Sequence, residues 1–303
     1  DRIQEAVEKI EEGGKRNEEG GERLIPISET EFARDNVFAY HTSVLTEYIR
    51  EKGANPDDYI IVNAQSYDEL YAFAATIRKG SLSTEGNTVD GSSATEAIII
   101  RSSSSLPKAI SGIADQPLLD KSILLPPSTF HLPPSSFHLP LFIVGSHVKK
   151  TTAQLEQLLQ AEGTCAIEVD VQRILDNADR LMLETQDTIR QVVEQGLTPV
   201  VYTSRQEIRL SDANQRQQLG QQISDFLVDI VRQLPYTPSY LVGKGGITSH
   251  DILTKGLGVR SARVLGQVTA SVPCVMTRHF PYIIFPGNVG SEQSLREVYE
   301  KLK

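Results

Sequence analysis

The chain has 303 residues, a formal net charge of −9 and 39% hydrophobic residues, with a pI near 5.3; this is enough apolar matter for real cores, and the length suggests about two domains. No run approaches the ~20 apolar residues that span a bilayer, and acidic and basic residues are interspersed without a basic stripe, so membrane insertion and nucleic-acid binding are disfavoured. Two cysteines, Cys165 and Cys274, are too few for a disulfide framework and fit no zinc spacing, which makes a reducing cytoplasm the simplest compartment.

The first residue is aspartate, no apolar leader follows it, and the chain reads as beginning inside a domain, as a fragment would. Ile3, Val7 and Ile10 at helical spacing predict a helix over Asp1–Glu12, stopped by Gly13-Gly14. A glycine-rich charged loop over 13–23 leads to a short strand at Leu24–Ile27. The stretch Thr30–Arg50 is helical in its later half. Tyr59–Val62 is predicted as a strand and Asp68–Arg78 as a helix. Residues 80–95 are polar and expected to be mobile. Ala97–Ile100 is predicted as a buried strand ending at Arg101 and four serines.

Residues 126–140 (PPSTFHLPPSSFHLP) write PPS-x-FHLP nearly twice. Five prolines exclude a helix or a central strand, so this is an extended linker between two domains, 1–125 and 141–303. A proline-rich ligand for an adaptor domain is the functional alternative.

After the linker the pattern turns regular. Strands are predicted at Leu141–Val144, Cys165–Val169, Pro199–Thr203, Tyr240–Val242, Ala262–Val268 and Tyr282–Phe285. Helices are predicted at Thr151–Ala161, Val171–Gln195, through Leu219 to Val231, at Ser249–Lys255 and at Ser291–Leu302. Strands alternating with helices predict an α/β fold, a mostly parallel sheet with helices on both faces.

In such sheets ligands bind beyond the carboxyl ends of the strands. Three predicted strands end in glycine-bearing turns: Gly145-Ser146-His147, Gly243 to Ser249, and Pro286 to Ser291. Glycine lets backbone approach an anion closely, and the helix that follows offers unpaired N–H groups to a phosphate. Helix capping and tight packing explain any one such turn equally well. Three together point to phosphate binding. There is no G-x-x-x-x-G-K-[ST], and Gly243-x-Gly245-x-x-Thr248 lacks the third glycine of the dinucleotide fingerprint, which disfavours an NAD-linked oxidoreductase.

These segments resemble a known family. KGGITSHD (Lys244–Asp251), GQV (Gly266–Val268), FPGNVG (Phe285–Gly290), VGSHVKKTTAQLE (Val144–Glu156) and PVVYTSR (Pro199–Arg205) look like the C-terminal nucleotide-binding domain of the four-carbon acid sugar kinases. More loosely, TEFARDNVFAY (Thr30–Tyr40) and IIIRSSSSLPKAISGI (Ile98–Ile113) resemble the later part of that family's sugar-binding domain, so 1–125 would be a partial one.

The resemblance implies an ATP-dependent kinase of threonate-, erythronate- or oxo-tetronate-type acids, with Mg²⁺ carried on the nucleotide. It implies nucleotide contacts from Ser146, from Gly245, Gly246, Ile247, Thr248 and Ser249, and from Gly287, Asn288 and Gly290. Arg101, Arg34 and Asp35 are the candidates for holding the sugar acid, since guanidinium pairs with carboxylate in bidentate fashion. No catalytic base is identified, no metal-ligand spacing is found, and a homo-oligomer is compatible with the sequence.

Two departures stand out. The family's aspartate-rich segment, roughly D-D-x-T-G-A, is absent, and Thr269–Thr277 (TASVPCVMT) replaces a Pro-Gly-Val-Pro turn. They support the rival reading of a catalytically inactive relative that binds nucleotide or a partner without turnover. Of the neighbouring polar residues, Lys244, Lys149 and Lys150 could neutralise phosphate or simply be solvated. Asp251 is read as a helix-dipole acid, and His147 and His250 as site-wall residues.

Overall fold

The computed structural model describes residues 7–9, 24–34, 39–64, 66–79, 83–84, 87–88, 99–102, 105–124, 139–205 and 213–303. The chain divides into two compact units, Asp1–Ala114 and Asp115–Lys303. Among the described residues no helix is long and apolar enough to cross a membrane.

The elements of the second unit are, in chain order, β1 (Leu141–Val144), α1 (Lys149–Leu159), β2 (Thr164–Val169), α2 (Val171–Glu194), β3 (Thr198–Thr203), α3 (Ala213–Arg232), β4 (Leu241–Lys244) and α4 (Gly246–Asp251, continuing as a π turn over Ile252–Gly256). Then come β5 (Arg263–Thr269), β6 (Val272–Met276), β7 (Pro281–Phe285) and α5 (Ser294–Leu302). They build one seven-stranded sheet in the order β2-β3-β1-β4-β7-β6-β5. The first five strands in that order run parallel, and β6 and β5 complete the sheet as antiparallel additions.

The apolar run of β1 explains its central place, because a strand covered on both faces has no need of polar alternation. Leu141 and Ile143 pack on one face with Leu181 and Ile189 of α2 and Phe226 and Ile230 of α3. Phe142 and Val144 pack on the other with Leu155 and Leu158 of α1 and Leu295 and Val298 of α5. The ring of Phe142 meets Tyr240 and Tyr299 edge-on at 6.2 and 6.0 Å, the preferred arrangement of aromatic quadrupoles.

Three details differ from the sequence expectation. The long helix α2 is broken at Asn177, whose backbone leaves helical geometry; its Oδ1 accepts the Arg180 N–H at 3.2 Å, capping the second half. Residues 269–277, expected to form an altered turn, instead hold strand β6. Val272 and Cys274 are both fully buried, and Pro273 sits at a register shift, where a ladder donor can be spared. Finally, the expected domain boundary at 125 falls inside the second unit. The Leu119 N–H donates to Gln267 O at 2.7 Å, Leu119 and Leu124 are buried in the α1/α5-side core, and Lys121 Nζ donates to Lys303 O at 2.7 Å. Linker residues 126–138 lie outside the described residues.

In the first unit Val7–Lys9 pairs antiparallel with Leu24–Pro26. At these residues strand pairing replaces the middle of the helix predicted over Asp1–Glu12; residues 1–6 and 10–12 lie outside the described residues. Helices occupy Leu45–Glu51, Tyr67–Arg78 and Ser105–Ser111. Ser66 caps the second by accepting the Glu69 N–H, and Arg78 Nη1 joins it to the third by donating to Ala109 O at 2.8 Å and Ile110 O at 3.1 Å. The strand expected at Tyr59–Val62 does not form. A 3₁₀ turn, Pro56–Asp58, ends at Tyr59, and Tyr59 and Ile60 stay about half exposed. Of Ala97–Ile100, only Ile99 and Ile100 are described; they are irregular, and Ile99 is 95% exposed. An apolar run becomes a strand only where a neighbour pairs with it. Most of 80–95 lies outside the described residues, apart from the two-residue strands Ser83–Thr84 and Asn87–Thr88.

Candidate functional site

The strands that carry the three glycine-bearing turns, β1, β4 and β7, are consecutive neighbours in the sheet, so their carboxyl ends share one rim. The turns touch. The Gly145 N–H donates to Lys244 O at 3.2 Å and the Gly245 N–H to Phe285 O at 2.9 Å. Thr151 Oγ1 donates to Gly287 O at 3.0 Å and lies 3.2 Å from Ser146 Oγ. A Cβ on Gly287 would stand 3.2 Å from Ser146 Oγ and 4.0 Å from the Gly245 Cα. Neither α1 nor α4 has a side chain capping its N-terminus, which leaves first-turn N–H groups open at this rim.

The predicted residues take different positions around it. Ser146 and Gly287 face one another, with Gly245 beside them. Helix α4 begins at Gly246, earlier than the expected Ser249, so Gly246, Ile247 and Thr248 form its first turn. Gly246 is open on its Cβ side. Ile247 is 75% exposed. Thr248 Oγ1 packs against Gly145 and Gly245. Ser249 is buried under the turn, its hydroxyl donating to Gly246 O at 3.2 Å. Asn288 is exposed, and its carbonyl accepts from Lys150 Nζ at 3.3 Å. Gly290 stands apart; a Cβ there would meet Ser294 and Gln154, which places it in the approach to α5.

Lys244 is fully buried on β4. Its amine donates to Pro286 O at 2.6 Å and Gly287 O at 3.2 Å and lies 4.3 Å from the centre of the Phe285 ring. It therefore braces the third turn from below and is committed to carbonyls. Burial, with the nearby charge of Lys150 adding to it, pushes the amine down to about 7. A neutral amine still has two N–H groups for those two acceptors. An unfolded lysine keeps its proton to about 10.5, so between pH 7 and 10.5 the unfolded chain binds the extra proton and stability rises with pH. The slope should reach up to about 1.4 kcal/mol per unit, and it vanishes below pH 7, where both states are protonated. Urea titrations at several pH values should show this rise, and Lys244→Met should flatten it; an unchanged slope would locate the titration elsewhere.

Asp251 ends α4, where the sequence expectation had it in the helix's first turn. It accepts from Ser224 Oγ at 2.6 Å and pairs with Lys255 at 3.1 Å. Burial works to raise its pKa, but those two partners prevail and hold the carboxyl below its usual range. His147 Nε2 lies 3.1 Å from Ser204 O and 3.2 Å from Thr203 Oγ1, and His250 is exposed. Among the described residues no three His, Cys, Asp or Glu side chains could jointly hold a metal ion.

Sequence reasoning missed three side chains that hold the rim together. Thr151 and Gln154 of α1 are both fully buried; Gln154 Nε2 donates to Val289 O at 2.9 Å and Ser291 O at 2.7 Å. Their signal was present, since two polar residues share the buried stripe with Leu155 and Leu158. Arg205, just beyond β3, donates from Nη1 to Ser146 O at 2.5 Å, and its guanidinium lies 5.7 Å from the Tyr202 ring centre. In the first unit, Arg101 donates to Tyr48 Oη at 3.3 Å, Tyr48 stacks edge-on with Tyr40 at 6.0 Å, and the Tyr40 N–H donates to Ala33 O, next to the exposed Arg34. Asp35 lies outside the described residues.

The family profile described as "Nucleotide-binding C-terminal domain" matches residues 141–295. Among solved structures, the chain is similar to a Haemophilus influenzae protein of the DUF1537 family, at 14% identity and a TM-score of 0.57, covering 92% of this chain and 68% of that one. It is also similar to a Salmonella typhimurium LT2 protein provisionally described as a tRNA synthase, at 16% identity and a TM-score of 0.52, covering 90% and 66%. At these identities the likeness concerns the fold, and the chain spans about two thirds of the length of both proteins. No curated protein sequence matches the chain.

Proposed function

The chain belongs to the four-carbon acid sugar kinase family, and from that premise we propose that it transfers the terminal phosphoryl group of ATP to a hydroxyl of a small sugar acid of the threonate, erythronate or oxo-tetronate type. The observation that carries this reading is the close approach of the three turns: a Cβ added at Gly245 would stand 3.0 Å from Ser146 Cβ, and one added at Gly287 would stand 3.2 Å from Ser146 Oγ and 4.0 Å from the Gly245 Cα. Glycine at two of these corners lets the turns pack this closely, since a Cβ on either would meet Ser146, and open N–H groups at the starts of α1 and α4 supply partial positive charge to a polyphosphate. The N–H groups of Gly246, Ile247 and Thr248, the Ser146 hydroxyl and the backbone at Gly287 and Asn288 would bind it. Lys149, exposed in the first turn of α1, is a cation placed to meet a phosphate, whereas Lys244 is committed to carbonyls.

Mg²⁺ would arrive on the nucleotide and neutralise its charge there; the described residues supply no cage of their own. Arg101 is assigned the sugar-acid carboxylate, held in orientation by Tyr48. The second reading, nucleotide binding without turnover, is favoured by Asp251: the acid closest in sequence to the α4 turn is tied to Ser224 and Lys255 and unavailable as a proton acceptor.

At about 100 times its Kd, ADP should stabilise the chain by ~2.7 kcal/mol and raise Tm by roughly 5 °C or more, while NAD should not. Gly246→Leu should keep the unliganded Tm, since nothing stands within 4 Å of its Cβ position, and lose the ADP shift. A wild-type chain unmoved by ADP would remove both readings. ADP released in the presence of threonate or erythronate, beyond the rate with neither, separates the kinase from the inactive relative.

A further inference from the structure

A groove of about 520 Å³ opens one strand away from Ser146, at the carboxyl ends of β2 and β3 and beside α1. One wall is the α1 side chains Thr152, Leu155 and Leu159; the other is Glu168 of β2 and Tyr202 of β3, with Arg205 at the rim. Its volume falls in the range of small-molecule sites. The two walls differ in chemistry. The partly exposed Leu159 and the half-buried ring of Tyr202 both line the groove, which suits a flat heterocycle, because a base of any kind has a π face to stack. The Glu168 carboxylate is exposed and 3.5 Å from Tyr202 Oη, which suits donors such as sugar hydroxyls. Acids Glu156 and Asp170 also line the groove, so away from Arg205 its charge disfavours phosphate.

Arg205 joins the two places. It lines the groove and donates to the carbonyl of Ser146, while its Nε and Nη2 are buried with no hydrogen-bond partner. Buried unpaired donors of this kind are costly and call for an acceptor. Strands lie about 4.8 Å apart, and β3 is the direct neighbour of β1, so a ligand whose phosphate rests on Ser146 reaches the groove with its next group.

We propose that this groove is the nucleoside subsite: the base lies against Tyr202 and the partly exposed Leu159, the ribose hydroxyls donate to Glu168, and Arg205 marks the junction between ribose and the first phosphate. The proposal rests on the nucleotide reading above and adds to it a direction for the bound molecule, nucleoside towards β2 and phosphates towards β4.

Calorimetric titration of the wild-type chain, Glu168→Gln and Thr152→Trp with ADP and with inorganic tripolyphosphate tests it. Thr152→Trp fills the groove and should weaken ADP at least ~10-fold. Glu168→Gln removes a charge-assisted hydrogen bond and should weaken it about 5- to 10-fold. Both should bind tripolyphosphate within about twofold of wild type. ADP affinity unchanged in both variants, or ADP no tighter than tripolyphosphate in the wild type, would overturn the subsite while leaving the phosphate cradle intact. A wild type that binds neither probe would overturn the nucleotide reading itself. Unliganded Tm reports folding, and the exposed Glu168→Gln carries the test if Thr152→Trp does not fold.

Discussion

A Gly245→Val chain should lose ADP binding by at least about 100-fold, near 2.7 kcal/mol. Gly245 has φ 118° and ψ 143°, a combination open essentially to glycine alone. It lies at the seam between two turns, and a Cβ there would stand 3.0 Å from Ser146 Cβ and 3.3 Å from Ser146 N. Valine therefore pushes the first two turns apart and strains the backbone that presents the α4 amides, at a stability cost of about 1–3 kcal/mol. Calorimetric titration with ADP, alongside urea unfolding, separates the two effects. If Gly245→Val folds and binds ADP with wild-type affinity, this seam is not where phosphate rests.

The largest effect on stability is expected from Gly243→Ala. A methyl group at Gly243 would lie 2.0 Å from Tyr282 Oη and 3.0 Å from the backbone Cα of Ser249. Tyr282 is fully buried and its hydroxyl donates to Ser249 O at 2.9 Å, so the ring has nowhere to retreat without abandoning that bond. Overpacking and an unmade buried hydrogen bond together should cost about 3–5 kcal/mol, lowering Tm by roughly 6–20 °C. Tyr282→Phe alone should cost about 1–2 kcal/mol. Combined with Gly243→Ala it should recover part of the loss, because the phenyl ring removes the clashing atom. Strict additivity in that cycle would show that the two residues do not compete for the same space.

Legibility in the sequence followed the range of the interactions involved. The parallel strands and amphipathic helices of 141–303 were readable because each carries its own periodicity, and a fully apolar run such as LFIV has few alternatives. Strand β6 was not, since VPCVM holds a proline and only the bulge beside Val272 makes a strand tolerable there. In the first unit the apolar runs at Tyr59 and Ile99 looked like strands, yet a strand is defined by a partner that short-range pattern cannot name. At the site, glycines marked the turns, but which side chain meets the ligand depends on tertiary placement. Lys244 reads as a loop cation and is in fact a buried brace, and Ser249 reads as a phosphate donor and lies beneath the turn. Thr151, Gln154 and Arg205 act across about 55 to 140 residues of chain, a separation no local motif spans.

The short segment from Asp115 to Leu124 has a practical consequence for anyone dissecting this chain. It delivers Leu119 to the backbone of β5 and Leu124 to the core beneath α5. A piece begun at Leu141, where the sheet begins, would bare the main chain of an outermost strand and leave two apolar sockets vacant. Such a border is a template on which a second copy can add, so that piece should self-associate, and Asp115 is the sounder place to cut.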